Sequence, residues 1–272
     1  MTGRIALIGD PVAESVSPDM QNAALRACGL DLEYVALRVT RDEVARRFPE
    51  LAQETRGMNV TIPLKDAVAR LVDVVADSAR GTMSVNTVVV GDGGRTTGHS
   101  TDGAGFLRAL RHAGLAPRSA LILGAGGAAR AIAAALRSAG LEVAVTARDL
   151  AAAEAMRPLG VRPIDQASAA AVASRSDLIV SAVPSTAWRD GDAFHIASAL
   201  RPGRIVADLA YRPRRTPLLA RAEAAGCAVL EGVEMLVEQG ALSFSLWTGR
   251  EAPLEIMRGA AYAALERPPV AP

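Results

Sequence analysis

The stretch Leu121-Ile122-Leu123-Gly124-Ala125-Gly126-Gly127-Ala128-Ala129-Arg130 leaves this chain few folds to choose from. The apolar run Ser119–Leu123 reads as a buried strand, and Ala128–Ala139 as a helix whose small residues let it lie close to a sheet. Between them, Gly124-x-Gly126-x-x-Ala129 has the spacing of a tight strand-to-helix turn whose missing side chains let a ligand approach the backbone. Gly140 then stops the helix, and Glu142–Thr146 supplies a second strand. Such a unit aims the first-turn amides and the positive end of the helix dipole at the turn, where a pyrophosphate fits. Gly124, Ala125, Gly126, Gly127 and Ala128 are therefore the candidate cofactor-binding residues, and the ligand class is a dinucleotide.

The end of the second strand separates the two common dinucleotides. An acidic residue there accepts from the ribose 2′-hydroxyl of NAD, and an arginine pairs with the 2′-phosphate of NADP. Ala147-Arg148-Asp149 offers one of each. Arg148 has the planar fork that suits a phosphate, while Asp149 is also placed to cap a helix over Leu150–Leu159. The segment favours NADP and leaves NAD open. Further on, Asp177–Val183, Arg204–Asp208 and Ala228–Leu230 read as strands, with a helix at Pro217–Ala225, so one parallel sheet with right-handed crossovers is expected. Val233–Thr248 and Pro253–Glu266 read as closing helices. The first carries Met235, Ser243 and Phe244 on a stripe that the polar Gln239 interrupts.

Composition narrows the partner. Half of the 272 residues are apolar, and 30 basic residues stand against 29 acidic ones, so neither nucleic acid nor an anionic membrane is favoured and a small molecule is expected. No apolar run approaches the roughly 20 residues of a membrane helix. Cys28 and Cys227 lie far apart without metal-ligand spacing, and Met1-Thr2-Gly3-Arg4 leads directly into a strand-like run, so a reduced, cytoplasmic, metal-free protein is expected. Monomer and homodimer both remain open.

The first half of the chain carries the chemistry. Arg4–Ile8 reads as a strand ended by Gly9-Asp10-Pro11. In an extended Ser15-Val16-Ser17-Pro18 the two hydroxyls point the same way, Ser17 fits an N-cap, and Pro18 opens a helix over Asp19–Cys28, which together suit a carboxylate. After a strand at Leu32–Val39 and a helix at Arg41–Gln53, Gly57-Met58-Asn59-Val60-Thr61-Ile62-Pro63-Leu64-Lys65 runs a strand bearing Asn59 and Thr61 into a proline and a lone lysine. A lysine at the carboxyl end of a strand sits where α/β proteins bind ligands. Ala67–Ala79 reads as a helix, and Met83–Val90 as a strand turning at Gly91-Asp92-Gly93-Gly94. Ser100-Thr101-Asp102 follows the return strand, with Asp102 placed to cap a helix over Gly103–Ala113.

Taken together and in order, Gly9-Asp10-Pro11 with Ser15-Val16-Ser17-Pro18, Gly57 to Lys65, Val85-Asn86-Thr87, Ser100 to Phe106, the glycine turn, Asp208-Leu209-Ala210-Tyr211-Arg212-Pro213 and Met235 to Ala241 resemble the shikimate dehydrogenase family over nearly the whole chain. The resemblance implies an α/β fold with an N-terminal substrate-binding domain (1–101), a Rossmann-type doubly wound domain (102–235) and C-terminal helices (236–272) returning to the first domain, the active site lying in the cleft. It implies reversible reduction of 3-dehydroshikimate to shikimate by NADPH, in the route to aromatic amino acids. By position, Lys65 and Asp102 match the catalytic pair, and Ser15 and Ser17 the carboxylate site. Thr61, Asn86 and Gln239 match the ring-hydroxyl site, Tyr211 lies near the carboxylate, and Arg148 and Met235 join the cofactor set.

The chain departs from the family pattern at Glu14 and Gln21, where histidines are usual, and at Ser100, where an asparagine is usual. Around Arg148, Ala147, Asp149 and Ala152 replace asparagine, threonine and a second basic residue, which weakens the expected NADP clamp. Two alternatives stand beside the main reading: a quinate/shikimate dehydrogenase using NAD, and a non-catalytic nucleotide-binding paralogue.

Overall fold

The computed structural model describes residues 3–188 and 191–267; Met1 and Thr2, read above as leading into the first strand, lie outside them. The chain divides into two compact units, one holding the residues up to Gly105 together with those from Leu236 onward, the other Phe106–Met235.

The first unit is built on β1 (Gly3–Gly9), β2 (Leu32–Arg38), β3 (Gly57–Val60), β4 (Val74–Val75), β5 (Thr87–Val90) and β6 (Thr96–His99), in the order β2-β1-β3-β5-β6-β4. Helices α1 (Ser17–Ala27) and α2 (Val44–Glu54) connect β1 to β2 and β2 to β3, and those three strands are parallel, as crossover connections require. The expected hairpin joins β5 to β6 as antiparallel neighbours, its turn using Gly93 and Gly94 at φ 69° and 78°. Apolar α2 residues Val44, Phe48 and Leu51 pack with Ile8, Met58, Val60 and Val88 from the sheet.

Two expectations fail in this unit. The helix expected over Ala67–Ala79 is instead α3 (Lys65–Val68), the edge strand β4 and α4 (Asp77–Arg80). β-Branched Val74 and Val75 pair with Thr97 and Gly98, and the Asp73 carboxylate accepts from the Thr96 amide (2.7 Å) and hydroxyl (2.8 Å), so local and tertiary bonds displace the helical ones. Ser15-Val16-Ser17 is not extended either: Val16 is in the right-handed region, Ser17 is the first residue of α1, and Ser15 Oγ accepts from the Ser17 amide at 3.2 Å.

The second unit contains β7 (Ser119–Leu123), β8 (Glu142–Thr146), β9 (Arg162–Pro163), β10 (Leu178–Ser181), β11 (Ile205–Asp208) and β12 (Ala228–Glu231). They pair in parallel in the order β12-β11-β10-β7-β8-β9, the arrangement of a doubly wound dinucleotide-binding sheet. Alternate residues enter two different cores: Ala120, Ile122, Val143, Val145, Leu178 and Val180 face one, and Leu121, Leu123, Ala144 and Ile179 the other. A sheet covered on both faces explains why these strands read as unbroken apolar runs.

Helices α5 (Asp102–His112), α6 (Gly127–Ser138), α7 (Leu150–Glu154), α8 (Ala169–Ala173) and α9 (Pro217–Ala224) accompany this half of the chain, and the unit division falls inside α5. α7 stops short of the expected Leu159 because Pro158 cannot continue it, and Arg157–Leu159 forms a 3₁₀ turn.

The division falls a second time within α10 (Gly232–Thr248), so that α10 from Leu236 onward and α11 (Leu254–Glu266) complete the first unit. α11 packs on α1. Trp247 closes over Gly57, where a Cβ would stand 2.4 Å from the indole, and its Nε1 donates to Val88 O at 2.9 Å. Phe244 is fully buried, and truncating it to alanine costs about 3–5 kcal/mol.

Candidate active site

Lys65 opens α3 on a turn tied down on both sides. The Thr61 amide donates to Ile8 O and the Leu64 amide to Thr61 O, both at 2.9 Å. The Arg41 fork donates to Pro63 O (2.7 Å) and to both Asp66 oxygens (2.8 and 2.6 Å). Hydrogen bonding from Arg41 holds the Asp66 carboxyl at about 2, against an ordinary 3.8. Lys65 Nζ meets Asp102 Oδ2 at 2.5 Å, with 13% and 5% of the two side chains exposed. The other Asp102 oxygen accepts from Asn86 Nδ2 at 2.9 Å. The carboxylate expected to cap α5 is thus given to two side chains.

Asn86 is the junction of this site. Its Oδ1 accepts from the Thr101 amide at 2.8 Å, with Thr87 Oγ1 3.2 Å away. Its Nδ2 faces Thr101 Oγ1 (2.8 Å), Asp102 Oδ1 (2.9 Å) and Gln239 Oε1 (3.0 Å). Gln239 reaches it from α10, with Nε2 donating to Leu236 O at 2.9 Å. Gly105 makes this approach feasible: a Cβ there would stand 2.6 Å from both the backbone nitrogen and the Cβ of Gln239. Lys65, Asp102, Asn86 and Gln239 are therefore brought into one hydrogen-bonded cluster.

The remaining expected residues are placed differently. Ser15, Ser17 and Thr61 belong to the same unit but, among the described residues, make no hydrogen bond to the cluster. Gln21, one turn beyond Ser17, donates from Nε2 to Gly240 O at 2.9 Å beside Gln239, and its buried Oε1 has no hydrogen-bond partner among the described residues. Tyr211 lies in the second unit, in the loop after β11. That loop starts from Asp208, which accepts from Thr216 Oγ1 (2.7 Å) and the Ala210 amide (3.2 Å) and whose carboxyl is pushed up by burial.

Sequence reading missed Tyr34, Thr87 and Thr101 as parts of the site. The available signal was a polar residue inside an apolar strand, as with Asn59 on β3. Asn59 accepts from Tyr34 Oη at 2.7 Å and donates to Asn86 O at 3.0 Å.

The glycine turn ends β7 beside β10, where the strand order reverses. Gly124 has φ +114°, its amide donates to Thr146 O at 2.7 Å, and a Cβ on it would come within 3.0 Å of Ala182 O. Gly126 is the N-cap of α6 and provides no side-chain cap, and a Cβ there would enter open space. Ala129 is fully buried. Uncapped helix amides facing open space at the switch point fit a dinucleotide pyrophosphate. Arg148 is exposed and makes no hydrogen bond or ion pair among the described residues, whereas Asp149 Oδ1 caps α7 by accepting from the Ala151 amide at 2.9 Å. Its donor set therefore suits the 2′-phosphate of NADP through one cation. Met235 is packed in the core of this unit. Among the described residues no His, Cys, Asp or Glu group is arranged to hold a metal ion, and no helix is long and apolar enough to cross a membrane.

The sheet order and the open glycine turn of the second unit define the class: a dinucleotide-binding α/β protein of the doubly wound type, whose first unit carries a buried lysine–aspartate pair. Residues 7–88 match a model described as the shikimate dehydrogenase substrate binding domain, residues 232–262 the shikimate 5′-dehydrogenase C-terminal domain, and residues 119–210 a coenzyme F420-dependent NADP oxidoreductase domain. The shikimate dehydrogenase (NADP(+)) of Moorella thermoacetica is 41% identical over 94% of this chain and 91% of its own length. Shikimate 5-dehydrogenase from Thermus thermophilus, solved with NADP(H) and shikimate, is 38% identical and superposes with a TM-score of 0.87 over 96% of this chain and 99% of its own. Quinate dehydrogenase from Corynebacterium glutamicum, solved with NAD, is 31% identical with a TM-score of 0.87, over 96% and 99% of the two chains. The chain belongs to the shikimate dehydrogenase family.

Proposed function

We propose that the protein catalyses the reversible, NADP-dependent reduction of 3-dehydroshikimate to shikimate. The observation that carries this reading is the buried Lys65–Asp102 pair joined through Asn86 to Gln239. The bound nicotinamide supplies the hydride. Lys65 stabilises the alkoxide that develops as the ketone is reduced and delivers a proton to that oxygen. Asp102 keeps the ammonium of Lys65 aimed and accepts from the same substrate hydroxyl. Asn86, Gln239 and Thr61 bind the ring hydroxyls, Ser15 and Ser17 hold the carboxylate near the amino end of α1, and Tyr211 assists there. Gly124, Ala125, Gly126, Gly127 and Ala128 cradle the pyrophosphate, Arg148 takes the 2′-phosphate, and Met235 supports the cofactor side.

One observation, on the cofactor side, favours a second reading, a quinate/shikimate dehydrogenase using NAD. Ala152 stands one turn after Arg148, where a second basic residue is usual in the family, and Asp149 adds a negative charge beside it. Steady-state reduction of NADP⁺ and NAD⁺ with shikimate and with quinate separates the two: a higher specificity constant for NADP⁺ with shikimate supports the first reading. Two free thiols, Cys28 and Cys227, support a cytoplasmic location. Sedimentation analysis distinguishes a monomer from a homodimer.

A further inference from the structure

The cluster around Lys65 continues into a buried network that the proposed reaction does not use. Tyr34 Oη donates to Asn59 Oδ1 at 2.7 Å, which turns Asn59 Nδ2 toward Asn86 O (3.0 Å), Thr87 Oγ1 (3.2 Å) and Ser243 Oγ (3.2 Å). Ser243 Oγ lies 2.8 Å from Thr87 Oγ1 and 3.2 Å from Thr101 Oγ1, and donates to Gln239 O, one turn earlier on α10, at 3.0 Å. Tyr34, Asn59, Thr87, Thr101 and Ser243 are all buried.

Counting hydrogens gives this network a direction. A hydroxyl has one hydrogen to donate. With that of Ser243 directed to Gln239 O, its oxygen can only accept, so Thr87 donates to Ser243. Thr101 Oγ1, which accepts from Asn86 Nδ2, has its one hydrogen within reach of both Ser243 Oγ (3.2 Å) and Gln239 Oε1 (3.3 Å). Around this network, Asn86 Oδ1 is held by the Thr101 amide, and Gln239 Oε1 faces Asn86 Nδ2 and the Thr101 hydroxyl.

We infer that Ser243 is a positioning residue that sets how Asn86 and Gln239 present their carboxamides to the substrate. Without its oxygen, Thr87 turns its hydrogen to Asn86 Oδ1, 3.2 Å away, Asn59 loses an acceptor, and α10 loses the Ser243 contacts to Asn59 and Thr87 one turn from Gln239. The inference rests on the assignment of Asn86 and Gln239 to the substrate hydroxyls.

Ser243→Ala removes the hydroxyl without adding volume. Its expected effect is a rise of about 3- to 10-fold in the KM for shikimate, the scale of one net hydrogen bond, with the KM for NADP⁺ unchanged within about twofold. Thr87→Val should give a similar rise and Thr87→Ser little, and the double variant Thr87→Val/Ser243→Ala should cost no more than the larger single change, as expected of residues acting as a unit. Ser245→Ala, which removes another hydroxyl bonded back along α10 to Ala241 O (3.2 Å), should leave both constants unchanged. An NMR measurement tests the geometry apart from turnover: side-chain amide exchange at Asn86 and Gln239, assigned through Asn86→Asp and Gln239→Glu spectra, should be at least about 10-fold faster in Ser243→Ala. An unchanged KM for shikimate in an active protein, or unchanged side-chain exchange, overturns the inference. If the unmodified protein turns over no shikimate, the functional reading falls and the exchange rates alone decide the role of Ser243.

Discussion

Lys65 Nζ stands 2.5 Å from Asp102 Oδ2, although 37 residues separate the two in sequence. A turn held by Arg41 carries the lysine and the first residue of α5 carries the aspartate. Both side chains are largely withdrawn from water, so removing one leaves the other an uncompensated charge, a loss far larger than that of a surface ion pair.

For Lys65→Ala the expected outcome is a rate constant lower by about 10²-fold or more with little change in the KM for shikimate, because the ammonium acts on charge that develops during the reaction. Steady-state kinetics checks this. Near-normal turnover would remove Lys65 from the mechanism.

Gly105→Ala places a methyl 2.6 Å from the backbone nitrogen of Gln239, too close for the two helices to remain where they are. A loss of about 1–3 kcal/mol in stability is expected from the forced shift, together with weaker binding of shikimate. Thermal melting and titration calorimetry report the two effects, and a variant unchanged in both would show that the contact is not tight.

Arg148→Ala is expected to raise the KM for NADP⁺ by about 10-fold or more, the scale of a lost hydrogen bond to a charged group, and to leave that for NAD⁺ nearly unchanged. Asp149→Asn keeps a competent cap on α7 while removing the charge, and should shift preference further toward NADP⁺. Equal losses for both cofactors in Arg148→Ala would place the arginine away from the 2′-phosphate.

The Arg41–Asp66 clamp gives a pH dependence of defined sign. The Asp66 carboxyl lies at about 2 in the folded protein, below its ordinary 3.8, so the unfolded chain binds that proton more readily. The clamp contributes its stability above 3.8 and loses it as pH falls toward 2. Melting temperatures of the unmodified protein and Arg41→Leu should differ near neutral pH and converge through that interval. Both partners are partly exposed, so the difference is modest, and a constant gap down to about pH 2 would contradict the assignment.

The second unit was the more legible half. Its strands are covered on both faces, so burial wrote continuous apolar runs at β7, β8, β10 and β11, and the glycine spacing marked the switch point. In the first unit, short elements were decided by contacts distant in sequence. Val74 and Val75 became a strand because β6 lay beside them, which helical periodicity over 67–79 cannot register. The individual residues Lys65, Asp102, Asn86 and Gln239 were legible from their motifs, but their joining through Asn86, and the supporting Thr101 and Ser243, depended on α10 returning to the first unit.

Nicotinamide absorbance of the unmodified protein, followed with NADP⁺ and NAD⁺ each against shikimate and quinate, reads the proposed reaction itself. The largest kcat/KM is expected for shikimate with NADP⁺. No reduction of NADP⁺ by shikimate, or a larger kcat/KM for quinate with NAD⁺, would contradict it.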